Sequence, residues 1–145
     1  MAYVEAVCIS EKKGVVKKEE NKVVLRAHWG IETDAHAGDW HRQVSLLAGE
    51  SIDTVKESMP TLKKGAFAEN IITRGIDLGA VSVGDQLAIG ADVIVEITQI
   101  GKECHNNGCA IKKLTGDCIM PREGVFAKVL VGGEIKPKDT IALRS

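Results

Sequence analysis

Aromatic side chains are scarce in this chain, with two Trp, two Phe and one Tyr among 145 residues. Its interior must therefore be filled mainly by aliphatic side chains, and hydrophobic residues altogether reach 44%. Val and Ile are stiff at χ1 and suit pleated surfaces, so this filling leans toward sheet. Proline is also rare, three residues against fifteen glycines, a balance that favours tight turns between short strands. No apolar run approaches the ~20 residues a membrane-crossing helix needs. The start, Met1-Ala2-Tyr3-Val4-Glu5, has neither the basic nor the apolar stretch of a signal peptide. The expected setting is cytoplasmic, with no membrane partner.

An excess of one charge is missing too. Nineteen Lys and Arg face twenty Asp and Glu, a formal net of −1. No basic stripe forms, so nucleic acid is not an expected partner. Glu11, Lys12 and Lys13, then Lys17, Lys18, Glu19 and Glu20, mix both signs and read as a solvated loop. In a reducing compartment Cys8, Cys104, Cys109 and Cys118 are thiols, metal ligands or reactive groups, not a disulfide frame. Nothing linker-like divides residues 1–145, so one domain is expected, long enough to bury about two-thirds of its unfolded surface.

Strand signals fall on Tyr3–Ser10, Lys22–Ala27, Gln43–Leu47, Phe67–Thr73, Val93–Thr98, Phe126–Val131 and Asp139–Leu143, and Val83–Gly90 reads as a turn feeding a short strand. Glu50–Ser58 reads as a helix with Ser51 as a candidate N-cap and Pro60 beyond its end. Cys109–Leu114 reads as one or two helical turns stopped near Gly116. Gly132-Gly133 suggests a hairpin turning back on the strand before it. Asp85-Gln86-Leu87-Ala88-Ile89 and Asp139-Thr140-Ile141-Ala142-Leu143 share the pattern Asp-x-aliphatic-Ala-aliphatic, either by coincidence or as two turn-to-strand entries of one sheet, and the echo is too short for a repeat. The predicted fold is mostly β with minor helices, closed or nearly closed as a barrel, because closure removes exposed edges.

Chemistry-bearing residues concentrate in three places. Residues 27–42 hold His28, His36 and His41, both tryptophans, and Asp34 and Asp39. Histidines bind metals or move protons near neutral pH when a partner fixes their tautomer; the alternative is a hydrogen-bonded loop that plugs one end of the barrel. In Gly101-Lys102-Glu103-Cys104-His105 the basic neighbours Lys102 and His105 favour a reactive Cys104 thiolate, the form that attacks sulfur or carbon and ligates soft metals. An inert thiol and a zinc site from Cys104, His105, Cys109 and Cys118 are the competing readings, although the spacing is not that of a standard finger. In Gly116-Asp117-Cys118-Ile119-Met120-Pro121-Arg122-Glu123-Gly124, Arg122 can hold a phosphate or carboxylate or pair with a nearby acid such as Glu123. Cys8 reads as a small core residue.

In these same segments the chain resembles the MOSC domains, small modules related to the C-terminal part of molybdenum cofactor sulfurases. The matching stretches are Asp34-Ala35-His36-Ala37-Gly38, His41-Arg42-Gln43-Val44-Ser45-Leu46-Leu47, Gly65-x3-Glu69-Asn70-Ile71-x-Thr73-x-Gly75, Val83-Gly84-Asp85-x-Leu87-x-Ile89-Gly90, Thr98-Gln99 leading to Cys104, and Gly124-Val125-Phe126-Ala127-Lys128-Val129-Leu130-x-Gly132-Gly133. They run in order over nearly the whole chain. The likeness is to the short stand-alone members, which also carry the blocks around Cys104 and Arg122.

The resemblance implies a MOSC-type β-barrel and a role with the molybdenum–pterin cofactor (molybdopterin) or sulfur destined for it. By position Cys104 is the family cysteine, the candidate persulfide carrier or molybdenum ligand. His36 and His41 match motif positions, while Arg42, Glu69, Asn70, Thr73 and Arg74 match positions that would line the same pocket. Lys102, His105 and Arg122 complete the expected cofactor-binding set. In sulfurases the domain follows a pyridoxal-phosphate cysteine desulfurase, so this chain would bind no pyridoxal phosphate itself. Its implied partners are a desulfurase or other sulfur donor and a molybdoenzyme or cofactor-biosynthesis protein. Three readings compete: a cofactor-binding or sulfur-carrying protein in cofactor maturation, a molybdenum-dependent reductase of N-hydroxylated compounds with a separate electron donor, and a non-catalytic binding or metal-storage module. The chain has neither a ferredoxin-like cysteine run nor a nucleotide fingerprint, so the second reading requires the separate donor.

Overall fold

The computed structural model describes residues 2–12, 16–101 and 124–144. Within them lie β1 (Tyr3–Ile9), β2 (Lys18–Glu20), β3 (Val23–Arg26), β4 (Gly30–Ile31), β5 (Val44–Ala48), α1 (Gly49–Lys56), β6 (Ile71–Arg74), β7 (Gln86–Ile89), β8 (Val93–Ile100), β9 (Val125–Val131), β10 (Gly133–Ile135) and β11 (Ile141–Arg144). Eight strands form one sheet in the order β11-β7-β8-β9-β5-β6-β1-β2, and β10-β3-β4 form a second. The expectation of a mostly-β fold holds.

Burial follows from position in the sheet. In β8, Val93, Val95 and Ile97 point inward while Ile94 and Glu96 are only partly covered, the alternation a half-buried strand requires. Val44, Ser45, Leu46 and Leu47 of β5 are all buried, because both faces of this strand are covered. Leu46 packs into the large core with Val4, Leu87, Val95, Ile97 and Val125. Leu47 packs into a second core with Ala6, Cys8, Ile52, Leu62, Phe67, Ile72 and Phe126, beneath α1 and the segment after it. Full burial of one such leucine is worth roughly 1.5–3 kcal/mol. α1 is the crossover that lets β5 and β6 run parallel.

The echoed Asp-x-aliphatic-Ala-aliphatic segments pair with each other. β7 and β11 lie antiparallel with Leu87 opposite Leu143, Ala88 opposite Ala142 and Ile89 opposite Ile141. The ladder nevertheless ends at β11 and β2, and among the described residues no sheet closes into a barrel. The gap between β11 and β1 is spanned by an isolated Tyr3–Thr140 bridge, with Val4 N donating to Asp139 O at 2.8 Å and Ile141 N to Ala2 O at 3.0 Å.

Four local expectations are corrected. Phe67–Thr73 is not one strand: β6 begins at Ile71, because Ala68 takes φ 64° and Phe67 N is bound by the Glu69 carboxylate at 3.0 Å. The helix starts at Gly49 with Ala48 at its N-cap and no capping side chain, so Ser51 lies inside it. β10 does not fold back on β9 but pairs with β3, Gly133 opposite Leu25 and Ile135 opposite Val23. Lys17 is not solvated, with only 2% of its surface exposed, because Asp34 draws it inward.

Candidate functional site

The C-terminal end of the histidine-rich segment lies against the end of β8. Gln99 Nε2 donates to Gly101 O at 2.6 Å, which turns Oε1 of the same amide toward His41 Nε2 at 2.8 Å. An amide oxygen only accepts, so His41 donates to it from Nε2. Thr98 Oγ1 contacts the carbonyls of His41 and Phe126, tying β8, β9 and residue 41 together. Trp40 meets His41 edge to face with ring centroids 5.9 Å apart.

Arg42 completes this rim. Its guanidinium carbon lies 4.7 Å from the Trp40 ring centre and 5.7 Å from that of Phe126, a cation–π arrangement that holds the planar group in place. Its Nε is buried and has no hydrogen-bond partner among the described residues, a position that costs an unpaired donor about 1–3 kcal/mol. Beside it, Gly101 N donates to Gly124 O at 2.6 Å. The chain thus leaves and re-enters the described fold at one point, next to His41, Gln99 and Arg42.

Behind the rim lies a buried polar cluster. Lys17 Nζ donates to Asp34 Oδ1 at 2.7 Å, to Ser10 Oγ at 3.2 Å and to His36 Nδ1 at 2.9 Å. The Lys17 and Asp34 side chains are fully enclosed. Burial lowers the Lys17 pKa, and the hydrogen bond and charge of Asp34 oppose that shift. Asp34 also accepts from Ser10 N at 3.0 Å and His36 N at 3.1 Å. Trp40 Nε1 donates to His36 O at 2.7 Å, which couples this cluster to the rim.

Glu69, Asn70 and Thr73 lie deeper. Glu69 accepts from Gly65 N at 3.1 Å and Phe67 N at 3.0 Å, which closes the turn before β6. Burial pushes its carboxyl up to about 7, against the pull of those amides and Lys17. Gly65 has φ +90°, and a Cβ there would stand 2.1 Å from Lys17 O, so the close pass of the two segments needs glycine. Asn70 Oδ1 accepts from Ser45 N and its Nδ2 donates to Cys8 O, both at 3.0 Å, bridging β5 and β1 just before β6 begins. Thr73 is fully buried and its Oγ1 has no partner among the described residues.

Arg74 sits on the helix side. It binds Asp53 of α1 in a two-pronged contact at 2.7 and 3.0 Å and also pairs with Glu5 of β1. The structure therefore joins His36 to Lys17 and Asp34, and His41 to Arg42 and Gln99. Glu69, Asn70 and Thr73 occupy interior positions and Arg74 an ion-paired one. His28 is exposed, with its N–H bonded to Val129 O at 2.8 Å. Cys8 is fully buried, as expected for a core residue, and burial pushes its thiol up to about 12. Cys104, Lys102, His105, Cys109, Cys118 and Arg122 lie outside the described residues. Among the described residues no cluster of three or more His, Cys, Asp or Glu side chains is set to hold a metal ion, and no helix is long and apolar enough to cross a membrane.

Sequence reasoning missed Lys17, which is hidden in a run of charges. Its signal was faint: Val15 and Val16 directly before it break that run with apolar residues.

A family model described as the MOSC domain matches residues 33–142. Among curated proteins none matches the chain. Similar solved structures include the YuaD protein from Bacillus subtilis, with TM-score 0.82 and 18% identity over 100% of this chain and 97% of that one. The structure of YiiM from Geobacillus stearothermophilus has TM-score 0.75 and 19% identity over 100% of this chain and 76% of that one. That of YiiM from Escherichia coli has TM-score 0.64 and 18% identity over 100% and 70%. At these identities the likeness is one of fold.

Proposed function

This chain belongs to the MOSC domain family, and on that footing we propose that it binds the molybdenum–pterin cofactor at the His41–Arg42 rim and uses Cys104 to carry sulfur destined for it. One observation carries the reading: the hydrogen bond from Gly101 N to Gly124 O beside that rim. Cys104 is three residues beyond Gly101 in the sequence.

The residues present fit the cofactor. The orphaned Arg42 Nε and its aromatic clamp suit a phosphate oxygen, and Arg122 is a second candidate for that charge. When bound, the cofactor would supply a molybdenum centre for oxo or sulfido chemistry. His41, with Nε2–H committed to Gln99, offers Nδ1 as the base that takes the Cys104 thiol proton. The thiolate then attacks the terminal sulfur of a persulfide on a donor such as a cysteine desulfurase. A new S–S bond forms at Cys104, the donor's S–S bond breaks, and its thiolate leaves. No external oxidant is needed. Cys8, buried with a raised pKa, cannot compete for the sulfur.

Protein purified anaerobically from a molybdate-fed host tests the reading by elemental analysis and by mass spectrometry after incubation with a persulfide donor. Molybdenum with pterin, and one added sulfur that is lost in Cys104→Ser but kept in Cys8→Ser, is the expected result. Full persulfide loading of Cys104→Ser, or one equivalent of zinc in place of molybdenum, overturns it.

A further inference from the structure

A groove of about 700 Å³ runs between β2 and the segment that follows α1, a size within the roughly 300–1,000 Å³ of small-molecule sites. It shares no lining residue with the His41–Arg42 rim. Its floor is apolar. Leu62 belongs to the second core, and Met59 and Ala66 pack against that core; Val16 joins them with 55% of its surface exposed. Backbone hydrogen bonds fix the walls: Lys17 N donates to Gly65 O at 3.0 Å, Leu62 N to Met59 O at 3.0 Å and Ala66 N to Lys63 O at 3.2 Å. Glu69 holds the same turn through Gly65 N and Phe67 N. A groove framed in this way needs little ordering when a ligand enters.

Around that floor the charge is mostly of one sign. Lys18, Lys56, Lys63 and Lys64 line the groove with a single acid, Glu19. Lys64 pairs with Glu19 at 3.6 Å, whereas Lys18, Lys56 and Lys63 form no ion pair among the described residues. Lys56 acts on the Asp53 carboxyl only at long range, and Asp53 is held two-pronged by Arg74 at 2.7 and 3.0 Å. Lys17 adds no charge here, because its ammonium is sealed against Asp34. The chain as a whole is balanced at −1, so the excess is local. Lysine suits the edge of an apolar floor, since its stem covers hydrocarbon while its ammonium stays in water. We propose that this groove binds an aliphatic carboxylate, with the chain on the Val16, Met59, Leu62 and Ala66 floor and the carboxylate among Lys18, Lys56 and Lys63. A bare anion would leave the floor in water, and an uncharged chain would leave three cations uncompensated; a ligand with both parts matches both features.

The test is titration calorimetry of the full-length protein with dodecanoate below its micelle concentration, with decanoate and dodecanol for comparison. One equivalent of dodecanoate should bind, about tenfold more tightly than decanoate, because two further methylenes leave water. Dodecanol should bind about tenfold more weakly than dodecanoate. Lys18→Glu/Lys63→Glu, which loses two attractions and gains two repulsions at exposed positions, should weaken dodecanoate about tenfold and leave dodecanol unchanged. Val16→Glu, also at an exposed position, sets a charge on the floor and should weaken both chains about tenfold. Absence of binding by dodecanoate overturns the proposal, as does equal affinity for dodecanoate and dodecanol, or dodecanoate binding that survives the double reversal. A dimer in sedimentation that Val16→Glu disperses overturns it too, with a second copy of the chain as the occupant. None of these readouts depends on molybdenum or on sulfur at Cys104, so this proposal and the sulfur-carrier reading fail separately.

Discussion

Lys17 Nζ stands 2.7 Å from Asp34 Oδ1 with both side chains sealed from solvent. Removing one partner of such a pair strands the other charge, which costs about 3–5 kcal/mol. Lys17→Met should therefore lose roughly that much stability in urea denaturation. Lys17→Met/Asp34→Asn should lose clearly less, because the Asn oxygen still accepts from Ser10 N. Additive losses in the double variant would mean that the two charges are not coupled.

Glu69 makes stability depend on pH in a direction opposite to that of most carboxylates. Burial raises its folded pKa from 4.5 to about 7. Between those values the folded protein keeps a proton that the unfolded chain has released. The contribution is thus fully present below about 4.5 and is lost as pH rises through about 7. Chemical denaturation at pH 5 and pH 7.5 should show Glu69→Gln losing about 1–3 kcal/mol less than the wild type over that interval.

Thr73 carries, in a fully buried position, a hydroxyl with no partner among the described residues. Thr73→Val replaces it with a methyl of similar shape and removes that desolvation cost. A gain of about 1 kcal/mol in thermal or urea unfolding is expected, with no change in molybdate binding. A loss of stability would reveal an acceptor that uses the hydroxyl.

Arg42→Lys keeps the charge of the rim but gives up the planar fork and the stacking on Trp40. Titration calorimetry with molybdate should show affinity falling about tenfold while the unfolding midpoint hardly moves. Unchanged affinity would remove Arg42 from the anion site.

Much of the architecture could be read in advance where the information is local. Of the two readings left open for the Asp-x-aliphatic-Ala-aliphatic echo, the structure favours strand entries of one sheet, since β7 and β11 pair, and Pro60 marked the region where α1 has ended. The family motif around Glu69 was visible, but its job was not: closing a turn on Gly65 and Phe67 has no signature beyond the residue types. Gly132-Gly133 looked like a hairpin because its local chemistry is that of one. What governs it is distant, since a Cβ on Gly132 would stand 2.4 Å from Leu25 O, where β3 passes. Lys17 was read as solvated for the same reason: its partner Asp34 is 17 residues away, beyond the reach of any local pattern.

The bond between Gly101 and Gly124 has one further consequence. It continues the β8–β9 ladder one step past the Ile100–Val125 pair. The register of these two strands is thus held up to the last described residue on each side, so a substitution at either glycine that lengthened this contact would be felt at Gln99 and Phe126, and through them at His41 and Arg42.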